Sequence, residues 1–501
     1  MWAGSSEHIP LKLCPVFARI REQMEKPHRT SRNNRWNSTH WNTMSNYWTL
    51  HVKDFAKIRE AKIEAAPLTL FVGDNNSGKS YLLSLLWGLT GGINFGYWTS
   101  NKEKNNVVKF DEVQSLLDFW KTRDYGSLSD EPNASAPVNG AKNALPIEAT
   151  EQRVLADGCN ALLAMIKDEI INKIFNTDEM RVESLYLDIP FQDKFGINFL
   201  QQNGFALTLT HQPNPMWLQT YMQLSDVNAL DFISHYTRFV LGGNIFIPAP
   251  RTGFLLTIKT LTQKSLRSAF GRELASGDNL TSPQVSYLEQ IAALRQCDLE
   301  KMKPSIRGIL DYVEQNIICG ELKVTKTPLP ELRYKPEGFD KTLPLYLSSG
   351  VVTEVTGFLS LLKFGQLLPI CIYEEPEMCL HPELQWKMAR VLVKLVNAGV
   401  KVWASTHSDI IIQHVNNMIK LSNHPDGEQL RKDHDYDEDD VISREKVRMY
   451  QFDVNPADHK TDVKPLEDGV NGFRIPTFGK VFRELRDEVW NFRIEKKEDS
   501  A

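Results

Sequence analysis

One stretch decides the fold of this 501-residue chain: Gly73-Asp74-Asn75-Asn76-Ser77-Gly78-Lys79-Ser80. It satisfies every required position of the pattern GxxxxGK[ST], in which a glycine-rich loop wraps the phosphates of a nucleotide. The two glycines allow a tight turn that aims successive backbone N–H groups at phosphate oxygens. Lys79 adds a positive charge for the β- and γ-phosphates, and Ser80 offers a hydroxyl to Mg²⁺. The predicted nucleotide contacts of this phosphate loop are Gly73, Asn75, Asn76, Ser77, Gly78, Lys79 and Ser80.

The segments on either side of the phosphate loop fit a strand and a helix. Residues 68–72 form a short apolar run of β-prone residues, which indicates a buried strand. Residues 81–87 are apolar almost all round, which indicates a buried helix whose positive dipole end would lie under the phosphates. Strand, loop and helix is the context that the motif needs. The chain is therefore predicted to bind a nucleoside triphosphate, ATP, together with Mg²⁺.

A second apolar strand, residues 369–373, ends in two adjacent carboxylates, Glu374 and Glu375. Acids delivered by a buried strand beside a phosphate loop have two uses in phosphoryl transfer. One carboxylate can orient the Mg²⁺ shell, and the next can polarise the attacking water. We predict that Glu374 and Ser80 serve the metal and that Glu375 is the catalytic base.

A third apolar strand, residues 400–405, is followed by Thr406-His407-Ser408. A histidine at the end of a strand that neighbours the acids can reach the γ-phosphate. His407 is therefore predicted to be the second catalytic residue.

A Leu-Ser-Ser-Gly segment, Leu347 to Gly350, precedes an apolar helix predicted at about 353–368. We call Ser348, Ser349 and Gly350 the serine corner. Hydroxyls and a glycine at the start of a helix form an anion-binding corner. Since the chain already has a phosphate loop, this corner has a use on a second nucleotide. That arrangement implies two chains, head to tail, with an ATP molecule at each of two shared sites.

Composition limits the class of protein. Hydrophobic content of 42%, charged content of 24% and a net charge of −5 are ordinary for a soluble globular protein of two to four domains. The sequence contains no apolar run long enough for a membrane helix, and its N-terminal region has no secretory pattern. The six cysteines form no CxxC pair, which is typical of reduced thiols in a cytoplasmic protein.

The pattern along the chain predicts an ATPase core divided by an insertion. Short strands before the phosphate loop indicate that the core sheet begins with an antiparallel portion. The predicted segments are an N-terminal extension (1–46), a first core lobe (47–121), a mixed, helical insertion (122–240), a core segment near the nucleotide (241–256), a helical continuation (257–339), a second core lobe (340–420) and a C-terminal segment for core packing or partner binding (421–501).

These motifs, in this order, resemble the ABC-type ATPases of the SMC and RecF kind, and more narrowly the overcoming-lysogenization-defect (OLD) class. The OLD likeness lies in Glu374-Glu375-Pro376-Glu377-Met378-Cys379-Leu380-His381-Pro382 and in Ser405-Thr406-His407-Ser408. The resemblance implies an α/β fold: an ABC-type P-loop ATPase head, with a mixed sheet flanked by helices and a largely helical insertion domain. It also implies that His381 and Pro382 belong to a loop that crosses to the other protomer. Residues 247–253 are similar to an IPAxRxG segment of that class, which makes Arg251 a candidate phosphate or interface contact.

The closest family resemblance is to PtuA, the ATPase of Septu-type antiphage systems, including those attached to retrons. OLD nucleases carry a Toprim domain, and the short region after His407 shows at most an acidic run at 435–440 that imitates part of one. The resemblance implies a homo-oligomer that controls a separate HNH nuclease of the PtuB kind. A retron reverse transcriptase with its RNA and DNA is a further partner that the resemblance allows, whereas no membrane partner is expected.

Two other functions remain open from the sequence. A RecF-like repair ATPase would bind DNA across the dimer with no nuclease partner. A self-contained OLD-like nuclease would use the acidic run at 435–440, although a solvated acidic loop is the favoured interpretation of that run. A transporter ATPase is disfavoured because the insertion between Ser80 and Leu347 is too large, and the same insertion is too short for the arms of true SMC proteins.

Overall fold

A computed structural model describes most of the chain. The described residues are 47–92, 110–122, 145–191, 195–201, 205–211, 218–220, 228–258, 280–294, 302–325, 331–365, 369–469, 472–473 and 476–492. The predicted N-terminal extension, 1–46, lies outside them. So do residues 123–144 of the predicted insertion.

The strands form one large sheet and three small ones. In chain order they are β1 (Thr49–Phe55), β2 (Ile58–Glu64), β3 (Leu68–Gly73), β4 (Leu145–Pro146), β5 (Val182–Asp188), β6 (Phe195–Gln201), β7 (Phe205–His211), β8 (Leu218–Thr220), β9 (Asn244–Ile247), β10 (Gly320–Val324), β11 (Leu332–Pro336), β12 (Leu343–Pro344), β13 (Ile370–Glu374), β14 (Lys401–Ser405), β15 (Val447–Val454), β16 (Thr461–Pro465), β17 (Asp468–Gly469) and β18 (Gly472–Phe473). The large sheet has nine strands in the order β5-β1-β2-β16-β15-β3-β14-β13-β9.

The middle of the large sheet is parallel. Strand β3 pairs in parallel with β14 on one side and with β15 on the other, and β13 pairs in parallel with β14 and β9. Every residue of β3, β13 and β14 is buried, as expected for parallel strands covered on both faces. Their carboxyl ends therefore meet at one edge of the sheet, where the phosphate loop leaves β3.

The other end of the large sheet is largely antiparallel. Strand β1 pairs antiparallel with both β2 and β5, which confirms the expected antiparallel portion before the phosphate loop. Strand β5 comes from the segment predicted as an insertion, so part of that segment completes the core sheet. The described part of the insertion also contains the four-stranded sheet β4-β6-β7-β8.

Helices cover both faces of the large sheet. They are α1 (Lys79–Trp87), α2 (Asp111–Thr122), α3 (Ala149–Phe175), α4 (Ala229–Leu241), α5 (Ser282–Ala292), α6 (Pro304–Asn316), α7 (Gly350–Phe364), α8 (Pro382–Asn397), α9 (Asp409–Asn423), α10 (Gly427–Asp433) and α11 (Pro476–Asn491). One buried apolar cluster joins α1, α3 and α4 to Phe71 of β3, and a second joins α7, α8 and α9 to Leu70 and Val72 of the same strand. The predicted α/β fold, a mixed sheet flanked by helices with the phosphate loop after a buried parallel strand, is confirmed.

The C-terminal segment contributes directly to the core. Strand β15 lies next to β3, and β16 links it to β2, so these two strands join the parallel and antiparallel parts of the large sheet. Helix α11, Pro476–Asn491, also belongs to the predicted C-terminal segment. Its described side chains, residues 483–492, are exposed. Within the described residues, no helix combines the length and the apolar character needed to cross a membrane.

Candidate functional site

Three predicted motifs meet at the carboxyl edge of the parallel strands. The phosphate loop follows β3, His407 lies two residues after β14, and Glu374 is the last residue of β13. Because β14 lies between β3 and β13, His407 stands between the phosphate loop and the acids. The sheet topology therefore builds one site from the phosphate loop and from two segments that follow it roughly 300 residues later in the chain.

The backbone of the phosphate loop requires its glycines. Gly73 has a φ of 134°, and a Cβ there would stand 2.4 Å from the carbonyl oxygen of Phe452 in β15. Gly78, with a φ of 99°, is the N-cap of α1. Few side-chain-bearing residues adopt such angles, so these two positions fix the turn that the motif predicted.

Lys79 lies folded into its own loop. Its side chain is almost buried, and Nζ donates to the carbonyl oxygens of Gly73 at 3.0 Å and Asp74 at 2.6 Å, and to Ser77 Oγ at 3.2 Å. Burial lowers the pKa of Lys79 to about 8, against the opposing effect of Glu375 and other nearby carboxylates. An ammonium group held by carbonyl oxygens is ready to exchange them for phosphate oxygens.

Glu374 and Ser80 lie together, as a pair of metal ligands would require. The Glu374 carboxylate accepts a 2.9 Å hydrogen bond from the backbone N–H of Ala249. Burial raises the pKa of Glu374, whereas hydrogen bonds from Ala249 and from the Ser80 side chain lower it. A hydroxyl and a carboxylate, both hard oxygen donors, suit Mg²⁺, so the residues present fit this ion.

Glu375 and His407 face each other at the mouth of the site. Glu375 Oε1 lies 3.7 Å from His407 Nε2, and both side chains are about one-third exposed. Glu375 has a φ of 45°, which is unusual for a residue with a side chain. Its N–H donates to the carbonyl oxygen of Ser405 at 3.0 Å, which holds it against β14. Burial and the charge of Lys79 lower the pKa of His407, against the opposing charges of Glu375 and Asp74.

Glu377 belongs to the site although the sequence analysis gave it no role. Its Oε1 accepts a hydrogen bond from the backbone N–H of His407 at 2.6 Å. Burial raises the pKa of Glu377, and its hydrogen bonds oppose that effect. In the sequence, the sign of such a role was that Glu377 is the third carboxylate of the Glu374-Glu375-Pro376-Glu377 segment.

The serine corner lies partly at the protein surface, since the Ser348 hydroxyl is buried and has no hydrogen-bond partner among the described residues. Ser349 and Gly350 are exposed. Ser349 is the N-cap of α7, and its hydroxyl oxygen accepts a hydrogen bond from the backbone N–H of Val352. Helix α7 begins at Gly350, three residues before the predicted start, because Ser349 caps it. Among the described residues, no hydrogen bond or ion pair joins the serine corner to the phosphate loop of the same chain. The corner is therefore available to a group from outside this subunit.

Arg251 lies inside the protein, behind the acids. Its side chain has 0% exposure, and its guanidinium pairs with Glu354 of α7. It also donates to the backbone carbonyl oxygens of Pro248, Glu374 and Glu375. A direct contact with phosphate or with a second protomer, as the sequence suggested, would need Arg251 to leave these partners. The structure instead places it as a buried link between two parts of the site.

Most of the acidic run at 435–440 is exposed, as predicted for a solvated loop, but its carboxylates already hold a lysine and it is not an open cation site. One carboxylate oxygen from each of Asp437, Asp439 and Asp440, the acidic cluster, lies within 4.8 Å of the others. The ammonium of Lys394 contacts all three, at 2.9 Å, 2.5 Å and 3.2 Å respectively. Asp440 is fully buried, against the predicted solvated loop. A positive charge already stands where the three carboxylates converge.

Comparisons with known proteins return SMC head domains. No protein-family model matches the chain, and no curated protein does. The chain is similar to the SMC head domain from Thermotoga maritima, with 12% identity and a TM-score of 0.31 over 84% of this chain and 99% of that one. It is also similar to the Smc head domain with an extended coiled coil, bound to the C-terminal domain of ScpA and derived from Pyrococcus furiosus, with 10% identity and a TM-score of 0.36 over 88% and 99% of the two chains.

Proposed function

We propose that this chain is a Mg²⁺-dependent ATPase whose catalytic sites are shared between two copies arranged head to tail. One observation carries the proposal. The phosphate loop, the acids and His407 meet at one edge of the sheet, whereas the serine corner, with its exposed helix N-terminus, does not touch them. The chain thus holds two complementary halves of a nucleotide site that a single copy does not bring together.

The chemistry of the assembled half fits hydrolysis of a phosphoanhydride. Lys79 and the backbone N–H groups of the phosphate loop bind and orient the phosphates. Ser80 and Glu374 would hold Mg²⁺, which supplies positive charge to the phosphate oxygens when bound. Glu375 accepts the proton of the attacking water, and His407 donates a hydrogen bond that fixes the γ-phosphate. Positioning and charge stabilisation are the contributions that phosphoryl transfer needs.

The surface beside the serine corner supports a second copy as its partner. Tyr346 is 71% exposed and Leu347 is 61% exposed, directly before Ser348. Exposed aromatic and aliphatic side chains next to an anion-binding helix end suit a protein interface that closes over a nucleotide. A C₂ dimer would use each serine corner on the other copy's ATP, giving two equal sites.

Mixing two inactive variants tests this proposal. Lys79→Met removes the phosphate charge, and Ser349→Arg blocks the serine corner with a bulky cation. In a mixed dimer, one site combines the Lys79 of the second variant with the serine corner of the first. We expect each variant alone to lose ATP turnover, and the mixture to recover up to about a quarter of wild-type turnover, because half of randomly formed dimers are mixed and each has one intact site.

A second experiment tests Glu375 as the catalytic base. Glu375→Gln should keep ATP binding and lose about 10²- to 10⁴-fold in kcat, because the amide cannot accept the proton. Glu445→Gln, an exposed glutamate near the start of β15, is the matched control and should leave kcat unaltered. A mixture that shows no turnover above that of the two separate variants, although mixed dimers form, would contradict the shared site.

The finer proposal is that the ATPase controls a partner HNH nuclease in antiphage defence. It rests on the resemblance of residues 374–382 and 405–408 to the OLD and PtuA class. Its structural support is that the acidic cluster, the one metal-like group of acids among the described residues, is neutralised by Lys394. A nuclease in a separate subunit then accounts for DNA cleavage better than this chain does.

Purification from the native operon tests the partner. We expect an HNH protein to co-purify, and its nuclease activity to change when Lys79→Met prevents ATP binding. The RecF-like alternative gains if no HNH protein is present and the purified chain binds DNA in an ATP-dependent way that weakens steeply with salt.

A further inference from the structure

A buried ion pair joins the helix of the serine corner to the backbone of the acids. Arg251 Nη2 lies 2.5 Å from Glu354 Oε1, and both side chains are buried. Glu354 is the fifth residue of α7, about one helical turn after Gly350. The hydroxyl of Thr252 donates to the other carboxylate oxygen of Glu354. The orientation of Glu354 is therefore fixed from two sides.

The Arg251 guanidinium also binds the backbone of the two acids, Glu374 and Glu375. Nη1 donates to the carbonyl oxygen of Glu374 at 2.8 Å, and Nη2 donates to that of Glu375 at 2.8 Å. Glu375 is the residue with the positive φ of 45°. Because such a conformation persists only when its surroundings hold it, the bond from Arg251 helps to set the direction of the Glu375 side chain.

Aromatic packing makes the link stiff. The guanidinium lies over the ring of Tyr373, 5.0 Å from its centroid, and Tyr373 stacks on Phe358 of α7. A planar guanidinium that is stacked and bonded by both of its terminal nitrogens has little freedom to turn alone. A displacement of α7 is therefore passed to the backbone of the acids.

Stability alone gives no strong reason to keep this pair. Burying two charges away from water costs free energy that their attraction only partly returns, and a well-packed apolar pair is often as stable. A lysine would also lack the fork that reaches Glu354 and two carbonyl oxygens together.

We propose that Arg251 and Glu354 couple the two ATP sites of the dimer. When the serine corner of a protomer engages its neighbour's nucleotide, α7 shifts, and the ion pair transmits the shift to Glu375, which aligns water at that protomer's own nucleotide. Arg251 is a positioning residue, since it has no exposed surface through which to touch substrate. The inference rests on the proposed shared-site ATPase and adds that its two sites hydrolyse ATP cooperatively.

The test removes the pair without leaving a buried charge. Arg251→Met with Glu354→Leu should fold, with a lowered thermal midpoint because the carbonyl oxygens of Pro248, Glu374 and Glu375 lose a donor. We expect its affinity for ATP, measured with a fluorescent analogue, to stay within about twofold, its kcat to fall about 10- to 100-fold, and its Hill coefficient for ATP to fall to one. Glu354→Gln, which keeps shape and an acceptor oxygen, is the milder second variant and should lower the Hill coefficient too.

The same helix offers a matched control. Lys363, near the end of α7, forms a largely buried pair with Glu314 of α6 at 2.7 Å. Lys363→Met with Glu314→Gln should leave kcat and the Hill coefficient unaltered. If the Arg251 and Glu354 variants are folded and equally active and cooperative, the coupling is overturned while the ATPase stands. A wild-type protein that neither turns over ATP nor dimerises overturns the proposed function and the coupling together.

Discussion

The backbone N–H of His407 donates a 2.6 Å hydrogen bond to Oε1 of Glu377, a carboxylate thirty residues earlier in the chain. Glu377 follows Glu375 by two residues, and its bond ties the turn after β13 to the turn after β14. The distance of 3.7 Å between Glu375 and His407 thus depends on a third carboxylate that lies behind them. Glu377 positions both predicted catalytic residues.

Removing this acceptor should lower turnover more than binding. In Glu377→Ala, we expect kcat to fall about 10- to 100-fold with little change in ATP affinity, because misplaced groups lose transition-state contacts first. Glu377→Gln keeps an acceptor oxygen and should lose less. Steady-state kinetics check this, with Glu383→Ala, an exposed glutamate on the first turn of α8, as the control. An alanine variant with the wild-type kcat would refute the positioning role.

The lowered pKa of Lys79 predicts how ATP binding depends on pH. In the ATP-free protein, Lys79 has a pKa of about 8, and phosphates bind its protonated form. Above pH 8, ATP binding must therefore take up a proton, and affinity should fall by up to about tenfold for each pH unit. Calorimetry at about pH 9 in two buffers of different ionisation heat measures the uptake.

A second buried lysine provides the control for this titration. Burial also lowers the pKa of Lys401 to about 8, but it lies at the start of β14, away from the phosphate loop. Lys401→Met should keep the pH dependence of ATP binding. If that variant abolishes proton uptake, Lys79 is not the group that titrates.

In folding, both lysines bind fewer protons in the native state than in the unfolded chain, so they make the ATP-free protein more stable as pH rises from about 8 to 10.5.

Gly73 is expected to be needed for the fold as well as for the phosphate loop. Its φ of 134° and the 2.4 Å approach of a Cβ to Phe452 O mean that Gly73→Ala must strain β3 or push it from β15. We expect a loss of about 3 kcal/mol in the free energy of unfolding, from backbone strain and overpacking together. Gly253→Ala, where a Cβ meets nothing within 4 Å, should change stability by about 1 kcal/mol or less. Urea titrations of the two variants with equal midpoints would contradict this.

The sequence could predict the parts of the site that local patterns encode. The strands predicted at 369–373 and 400–405 lie at 370–374 and 401–405, because apolar runs buried on both faces leave a clear signal. The phosphate loop and the two acids, Glu374 and Glu375, were likewise predicted from local sequence patterns. The first residue of α7 is Gly350, three residues before the predicted start, because Ser349 caps the helix.

Long-range pairing could not be predicted in this way. Arg251 looks like a phosphate ligand beside its Pro and Gly neighbours, and only the fold brings Glu354, about 100 residues later, to its guanidinium. The acidic run at 435–440 looks solvated until Lys394, about 40 residues earlier, is placed beneath it. The pairing of β15 with β3 is equally non-local. In each case the residue or strand that determines the stability of the arrangement is distant in the sequence, so a local pattern does not reveal it.

Lys394 provides the test of the acidic cluster. Lys394→Met leaves the buried Asp440 with Arg390, at 3.6 Å, as its nearest cation and with one hydrogen bond, from the N–H of Asp437, so we expect a loss of about 3–5 kcal/mol in the free energy of unfolding. Lys432→Met, which breaks an exposed pair with Glu428, should change it by less than about 0.5 kcal/mol. Denaturant titrations of the two variants separate the structural from the solvated interpretation.

The same arrangement predicts that the purified chain does not cleave DNA with Mg²⁺ or Mn²⁺. A divalent ion would have to displace the Lys394 ammonium from three carboxylates, one of them buried, before any water could be activated there. Asp437→Asn should therefore alter neither ATP turnover nor DNA integrity. Metal-dependent cleavage by the wild-type chain that disappears in Asp437→Asn would instead show that Lys394 moves aside and that the chain carries its own nuclease.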